Sequence, residues 1–238
     1  MNTNKNSYTI VYAAVMVVIV AFLLAFVSSA LKPTQDKNVA LDKKKQILAA
    51  LNVRGLKDAQ SIEAKYNEYV VADMIVKADG TEVKDGKSKE NDGFKVENKD
   101  IKADNLPVYV CKVDGETKYV VPMTGRGLWG GLWGYMAMNA DLQTVFGAYF
   151  SHESETAGLG ALIAEQKFQD EFKGKHLFAD STSQEIALTV VKNGNIKPGQ
   201  ENVQVDGITG ATLTSVGVAN MVHDGLQQYV KYFASLKK

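Results

Sequence analysis

The sequence predicts an α+β domain behind a single N-terminal membrane-spanning helix. Three observations carry this. Residues 10–31 hold no charge over 22 positions, more than the roughly 20 needed to cross a bilayer as a helix. From Leu106 to Phe150, apolar and polar side chains alternate between turn signals, the pattern of antiparallel strands. Val218, Val222, Leu226, Tyr229 and Phe233 recur at spacings of four, four, three and four, the period of a helix with one buried face. Helices, then strands, then helix and strand mixed, give α+β rather than an alternating α/β order.

Composition narrows the function classes. The chain has 238 residues, 45% of them apolar, enough for one packed domain plus an anchor. Lys+Arg and Asp+Glu are both 27. No basic excess points to nucleic acid, and no nucleic-acid reader motif is present. Cys111 is the only cysteine, so internal disulfides and cysteine-held metal centres are excluded. It lies in the strand-like run Val108 to Cys111 and reads as a small core residue.

Taken in order, residues 1–9 form a short tail and residues 10–31 the span. Signal peptides have shorter apolar cores, so the span reads as a retained anchor. Ser28-Ser29-Ala30 still offers small residues to a peptidase. Only Lys5 precedes the span, whereas Lys32, Lys37 and Lys43 to Lys45 follow it. Counted literally, that charge bias leaves the main domain in the cytoplasm. Residues 32–105 read as a helical and charged connecting region of the soluble domain. A helix is expected over 36–53, with Ile47, Leu48 and Leu51 on its apolar face and Gly55 as its stop. A second amphipathic segment covers 58–72 through Ile62, Tyr66 and Tyr69. Residues 77–105 are dense in charge and read as an exposed loop or hairpin.

Residues 106–238 carry the rest of the domain. Asp114-Gly115 between two apolar runs signals a hairpin, with Pro122 closing its second strand. A further strand pair is expected around Asn139 to Asp141. Residues 160–172 read as a short helix and 186–191 as a strand. The last helix follows Asp206-Gly207-Ile208-Thr209-Gly210-Ala211-Thr212-Leu213-Thr214-Ser215. Thr212, Thr214 and Ser215 stand where an N-cap belongs. A helix N-terminus preceded by glycines suits a phosphate; a capped helix after a turn explains the same residues.

Two more stretches bear chemistry. Gly125 to Tyr135 combines five glycines with Trp129, Trp133 and Tyr135, which suits a flat ring system, although a β-rich corner uses the same residues. Ser151 to Gly160 leaves a strand and enters a helix. Ser151, His152 and Glu153 are sequence neighbours, so they cannot converge as a triad by themselves, and no G-x-S-x-G elbow is present. Gly125 to Gly130 has the G-x-G-x-x-G spacing, but it leads into another strand-like run and not into a helix, so no dinucleotide site is expected.

Asp206-x-x-Thr209-Gly210-Ala211-Thr212 resembles the D-x-x-[ST]-G-A-T flavinylation motif of FMN-binding domains. With the uncharged span, the stretch Leu31 to Leu48, the double L-W-G segment and Glu155-Thr156-x-Gly158-Leu159-Gly160, the whole chain resembles the C subunits of the Na+-translocating NADH:quinone oxidoreductases. One departure is Ala157, where that family often has Pro. The resemblance implies an FMN-binding domain over 106–238, with FMN joined to Thr212 as a phosphoester by a separate flavin transferase. It implies an oxidoreductase component that relays electrons without turnover of its own, using no catalytic residue and no metal. Thr209, Gly210, Ala211, Leu213, Thr214 and Asp206 are implied around the attachment point. Glu155, Thr156, Gly158, Leu159, Gly160 and Trp133 are implied around the ring. The implied partners are the other membrane subunits and the lipid bilayer, with no nucleic acid. The implied place is the bacterial inner membrane, with the main domain on the extracytoplasmic side, against the lysine count. The G subunit of the related Rnf complex shares two of these motifs, and a membrane-anchored scaffold or a hydrolase using Ser151 or Ser154 stands as an alternative from another class.

Overall fold

The computed structural model describes residues 6–180 and 182–237. Two compact units divide the chain, Met1–Lys43 and Lys44–Lys238. In the first, helix α1 (Asn6–Ala50) begins, and its side chains are exposed from Ile10 to Leu31. Among the described residues it is the one helix long and apolar enough to cross a membrane, with a mean hydropathy of 3.1 in its most apolar window. The sequence reading separates a span ending at Leu31 from a helix beginning at Asp36. The structure joins them, with Pro33 inside one helix. A proline deletes one backbone N–H donor and strains the preceding turn; here the helical run continues past it.

The second unit is built on one antiparallel sheet. Its strands are β1 (Val70–Val76), β2 (Glu82–Lys84), β3 (Leu106–Val113), β4 (Glu116–Arg126), β5 (Gly131–Asn139) and β6 (Val145–His152), in the spatial order β2-β1-β3-β4-β5-β6. The sheet therefore crosses the sequence boundary at 105/106: β1 and β2 come from the connecting region, and β1 pairs with both β2 and β3. Asp114 and Gly115 close the β3–β4 hairpin with φ of 51° and 84°, the two left-handed residues of a type I′ turn. Pro122 does not end β4. It pairs with Tyr135 of β5 beyond the last β3–β4 pair, Tyr109 with Val120, so its missing N–H breaks no bond to β3.

Both sheet faces are covered, because alternate residues on each strand are apolar. One face presents Val108, Val121, Met123, Leu132, Met136 and Phe150 to α4 (Thr212–Gln227), α5 (Val230–Leu236) and the segment before them. That segment contains a 3-10 turn at Gly160–Ala164, the short helix α3 (Gln166–Asp170), and two three-residue strands, β7 (Thr189–Val191) and β8 (Gln204–Asp206), paired in parallel. The opposite face presents Tyr109, Cys111 and Tyr135. Over it lie the buried end of α1 (Ile47, Leu48), Tyr66 of α2 (Ala59–Tyr69) and Phe94. Asp58 caps α2 by accepting the Ser61 N–H at 2.8 Å. The last apolar pattern does not form one helix. It divides at Gln228–Tyr229, where the Tyr229 hydroxyl donates to the Pro107 carbonyl at 3.1 Å.

Asp73 holds the charged loop that follows β2. It is fully buried on β1, and its carboxylate accepts N–H groups from Phe94 (2.7 Å), Glu90 (3.1 Å) and Asp92 (3.3 Å). Truncating it leaves three donors without their acceptor. Asp73→Ala is expected to lower stability by about 3 kcal/mol in urea denaturation of the detergent-solubilised chain. A loss below about 0.5 kcal/mol, the size of an ordinary surface change, would show that the loop is held otherwise.

Candidate functional site

The site is set by how deeply α4 sits on the sheet. A Cβ on Gly217 would lie 2.5 Å from the Arg126 carbonyl, one on Gly225 would lie 2.8 Å from Met123 Cγ, and one on Gly125 would lie 2.6 Å from Met221 Cβ. Helix and strand approach this closely only where a side chain is missing. The start of α4 is thereby fixed beside the end of β4, the Gly127–Gly130 turn and the segment after β6.

The start of α4 is open. Its N-cap is Ala211, which has no side chain to accept a hydrogen bond. Thr212 is the first helical residue rather than the cap, so the first-turn N–H groups lack a side-chain acceptor from the cap position. The residues before it form a fixed turn. Gly210 has φ +80°, the Ala211 N–H bonds to the Ile208 carbonyl at 3.0 Å, and Ser215 Oγ accepts the Ile208 N–H at 3.0 Å while donating to the Ala211 carbonyl. Thr212 is exposed and Thr214 is buried. A cavity of about 200 Å³ borders this turn. Thr209, Gly210, Thr212 and Val216 line one side, and Val191, Lys192 and Asn193 line the other.

Asp206 builds the second wall. It ends β8 beside Val191 of β7, and its Oδ1 accepts the Gly194 N–H at 2.8 Å. The motif aspartate therefore ties down the Lys192–Gly194 turn. Sequence reasoning missed Lys192 and Asn193. Their turn composition was visible, but the parallel β7–β8 pairing that brings them to Thr212 joins residues far apart in the chain. Close by, Glu171 is pushed above the usual carboxylate range by burial and by the Asp206 charge, with Lys167, Lys175 and the Asp206 N–H opposing.

Glu155 joins three segments. It is 7% exposed. Its Oε2 accepts the Thr214 hydroxyl at 2.6 Å and its Oε1 accepts the Trp129 N–H at 2.9 Å. Its own N–H donates to His152 Nδ1 at 3.2 Å. Burial pushes this carboxyl up, but the bonds from Thr214, Trp129 and Gly130 together outweigh it and hold it below the usual value.

The two motif stretches named from sequence thus meet. A Cβ on Gly210 would lie 3.1 Å from Leu159 Cδ2. Thr156, Gly158 and Leu159 are exposed, Gly158 in a left-handed turn with open space around it. Gly160 is buried against Thr214 Oγ1 and Glu155 Oε2. Exposed apolar side chains lie on the same segments: Leu213 and Val216 on α4, Leu159 against Gly210, and Trp129, which is 65% exposed, in the turn after β4. Trp133 does not join them. Leu132 faces α4, so its neighbour on β5 faces the other side of the sheet, where the Trp133 indole donates to Gln46 of α1 at 3.2 Å. Trp129 is the tryptophan whose backbone Glu155 holds. Ser151, His152 and Glu153 form no triad: His152 Nδ1 takes the Glu155 N–H, and Glu153 Oε2 takes the Gly131 N–H.

Comparison with known proteins shows what the chain and its fold resemble. Residues 127–227 match the FMN-binding domain family. The chain is 32% identical over 235 residues to the C subunit of the Na(+)-translocating NADH-quinone reductase of Haemophilus ducreyi, covering 92% of this chain and 89% of that one. It is 30% identical over 260 residues to the Pseudomonas aeruginosa protein of the same name, covering 100% and 98%. A crystal structure of the corresponding C subunit from Parabacteroides distasonis superposes with a TM-score of 0.76 at 40% identity, over 85% of this chain and 96% of that one. The Shewanella oneidensis NqrC structure, at 23% identity and a TM-score of 0.69, shares the fold.

The Glu155 geometry gives a pH dependence with a definite sign. A carboxyl held below its ordinary value of 4.5 contributes stability that is present above that value and lost as pH falls through the depressed one. Thermal melts between about pH 3 and about pH 5 should show acid destabilisation that flattens in Glu155→Gln. An unchanged acid limb would assign that loss to other carboxyls.

Proposed function

The chain belongs to the family of C subunits of the Na(+)-translocating NADH-quinone reductases, and from that premise we propose that it carries FMN on Thr212. It is the FMN-carrying electron-carrier subunit of that oxidoreductase complex. The relatives are C subunits of the quinone reductase, which favours this reading over the Rnf G subunit. FMN supplies the uptake and release of electrons; the chain supplies position and electrostatics.

The residues present fit the group. The observation that carries the attachment point is the contrast within the motif: Thr212 is exposed at the first helical position beside the cavity, while Thr214 is buried and bonded to Glu155. Thr209 is exposed as well, but it stands in the turn before the helix. A phosphoester on Thr212 lies at the N-terminus of α4, where unpaired N–H groups and the helix dipole offset its charge. Lys192 across the cavity adds a cation. Leu159, Leu213, Val216 and Trp129 offer apolar contact to a ring, and Thr156 and Gly158 leave the backbone of their turn approachable. Glu155 and Thr214, which the resemblance places around the flavin, support it from beneath because their polar atoms are already engaged.

Attachment requires a flavin transferase that reaches an exposed hydroxyl. The span anchors the chain in the bacterial inner membrane beside the other subunits, with the domain after Leu31 outside the cytoplasm. Lys32 and Lys43 to Lys45 point the other way, but long translocated domains are governed weakly by such local charge.

Peptide mass mapping after co-production with a flavin transferase should find FMN less one water on Thr212. Thr212→Ala should abolish it and Thr209→Val should not; covalent flavin surviving in Thr212→Ala would sink the assignment. Asp206→Ala should lower the flavinylated fraction several-fold, since it frees the Lys192–Gly194 turn, and full modification would make Asp206 a simple turn residue. For topology, a phosphatase fused after Lys238 should be active; an inactive fusion whose domain resists external protease in spheroplasts would place the domain inside.

A further inference from the structure

We propose that Glu155 is a positioning residue of the flavin site: without touching the cofactor, its two carboxylate oxygens bolt the first turn of α4 to the Trp129 loop and so fix the Thr212 attachment point relative to the Trp129 indole. The inference rests on the reading of Thr212 as the flavin anchor and goes beyond it.

Four observations carry it. First, both oxygens are used inside the protein, by Thr214 Oγ1 at 2.6 Å and by the Trp129 N–H at 2.9 Å. Second, the carboxylate is buried, with the backbone of two glycines packed close on it. A Cβ on Gly160 would lie 2.6 Å from Oε2, and one on Gly127 would run into Oε1. Third, helix geometry turns the bond on Thr214 into an orientation for Thr212. Successive helical residues are about 100° apart, so positions 212 and 214 point to nearly opposite sides. With Thr214 pinned inward on Glu155, Thr212 points outward, as its exposure records. Fourth, the partner on the other oxygen is the backbone of Trp129, whose indole is 65% exposed. One carboxylate thus holds both the proposed attachment helix and the backbone that carries an exposed indole. The His152 Nδ1 contact at 3.2 Å fixes the Glu155 backbone in turn.

The fork needs a carboxylate. An ionised carboxylate accepts on both oxygens, whereas an amide offers one oxygen and turns a donor toward the second partner. Glu155→Gln keeps the volume and breaks the fork. Thr214→Val removes one donor and no charge, and Thr214→Ser keeps the hydroxyl. The test uses the full chain, flavinylated and solubilised in detergent. Intact mass reports the anchor, a redox titration reports the midpoint potential, and the quenching of tryptophan emission by the flavin reports the indole. Thr214→Ser is expected to match wild type. Glu155→Gln and Thr214→Val are both expected to keep the adduct, to shift the oxidised–reduced equilibrium about tenfold, which is about 30 mV for a two-electron couple, and to weaken the quenching. Loss of the adduct in Thr214→Val but not in Thr214→Ser also supports positioning, because the hydroxyl of Thr212 has then turned out of reach. Thr214→Val with a wild-type adduct, midpoint and quenching overturns the proposal, whether or not Glu155→Gln folds. A wild-type chain without any adduct on Thr212 overturns the anchor reading instead.

Discussion

The structure depends on the close seating of α4 against β4. Gly125 on the strand and Gly217 and Gly225 on the helix remove the side chains that would hold the two elements apart. Packing at that distance leaves little freedom to slide or rotate, since a small displacement brings backbone into backbone. The first turn of α4 therefore has one height above the sheet and one rotation. Everything at the site is referred to that position: the exposed Thr212, the buried Thr214 and Ser215, and the cavity beside them.

Polar groups then complete what the packing begins. Ser215 folds the Ile208–Ala211 turn back on the helix, and Asp206 reaches the Gly194 N–H. Glu155 ties the same turn of α4 to the loop after β4. Each uses a short side chain to bond backbone or a neighbouring hydroxyl. The cavity and its rim present backbone, Thr212, Lys192 and apolar side chains. That division suits the proposed cofactor, a phosphate joined to a largely flat ring. A phosphate there would meet helix N–H groups and a cation, and a ring would meet carbon. A rigid frame around an electron carrier also limits how much the surroundings must rearrange when its charge changes.

The sheet separates two tasks by alternation. On β5, Leu132 and Met136 face α4 and the site, while Trp133 and Tyr135 face the buried end of α1, α2 and Phe94. The second face holds its own polar fixtures. Lys44 of α1 is 3.2 Å from Glu63 and 2.9 Å from Glu90, and Asp73 clasps the loop that contains Glu90. Charged groups this buried require such partners. Asn52 and Arg54, just after α1, donate to the carbonyls of Phe146 and Ala148 on the edge strand β6, which covers bonding groups that an open edge would expose.

Sequence alone determined what local chemistry determines. The uncharged run to Leu31 marked a helix long and apolar enough to cross a membrane, Asp114-Gly115 required a hairpin, the period of Val218 to Leu226 required a buried helix face, and Asp206 to Thr212 carried the motif on which the proposed attachment rests. These signals sit within a few residues of one another and survive without knowledge of the fold. Only the tertiary structure decided that the Trp133 indole points away from α4 and donates to Gln46, because the face on which it falls depends on where α4 packs. It also decided that Glu155 turns inward to Thr214 and that Lys192 stands across from Thr212, through a parallel strand pair that no local pattern announces. Such contacts join residues tens of positions apart, and their geometry follows from packing that local propensity does not encode.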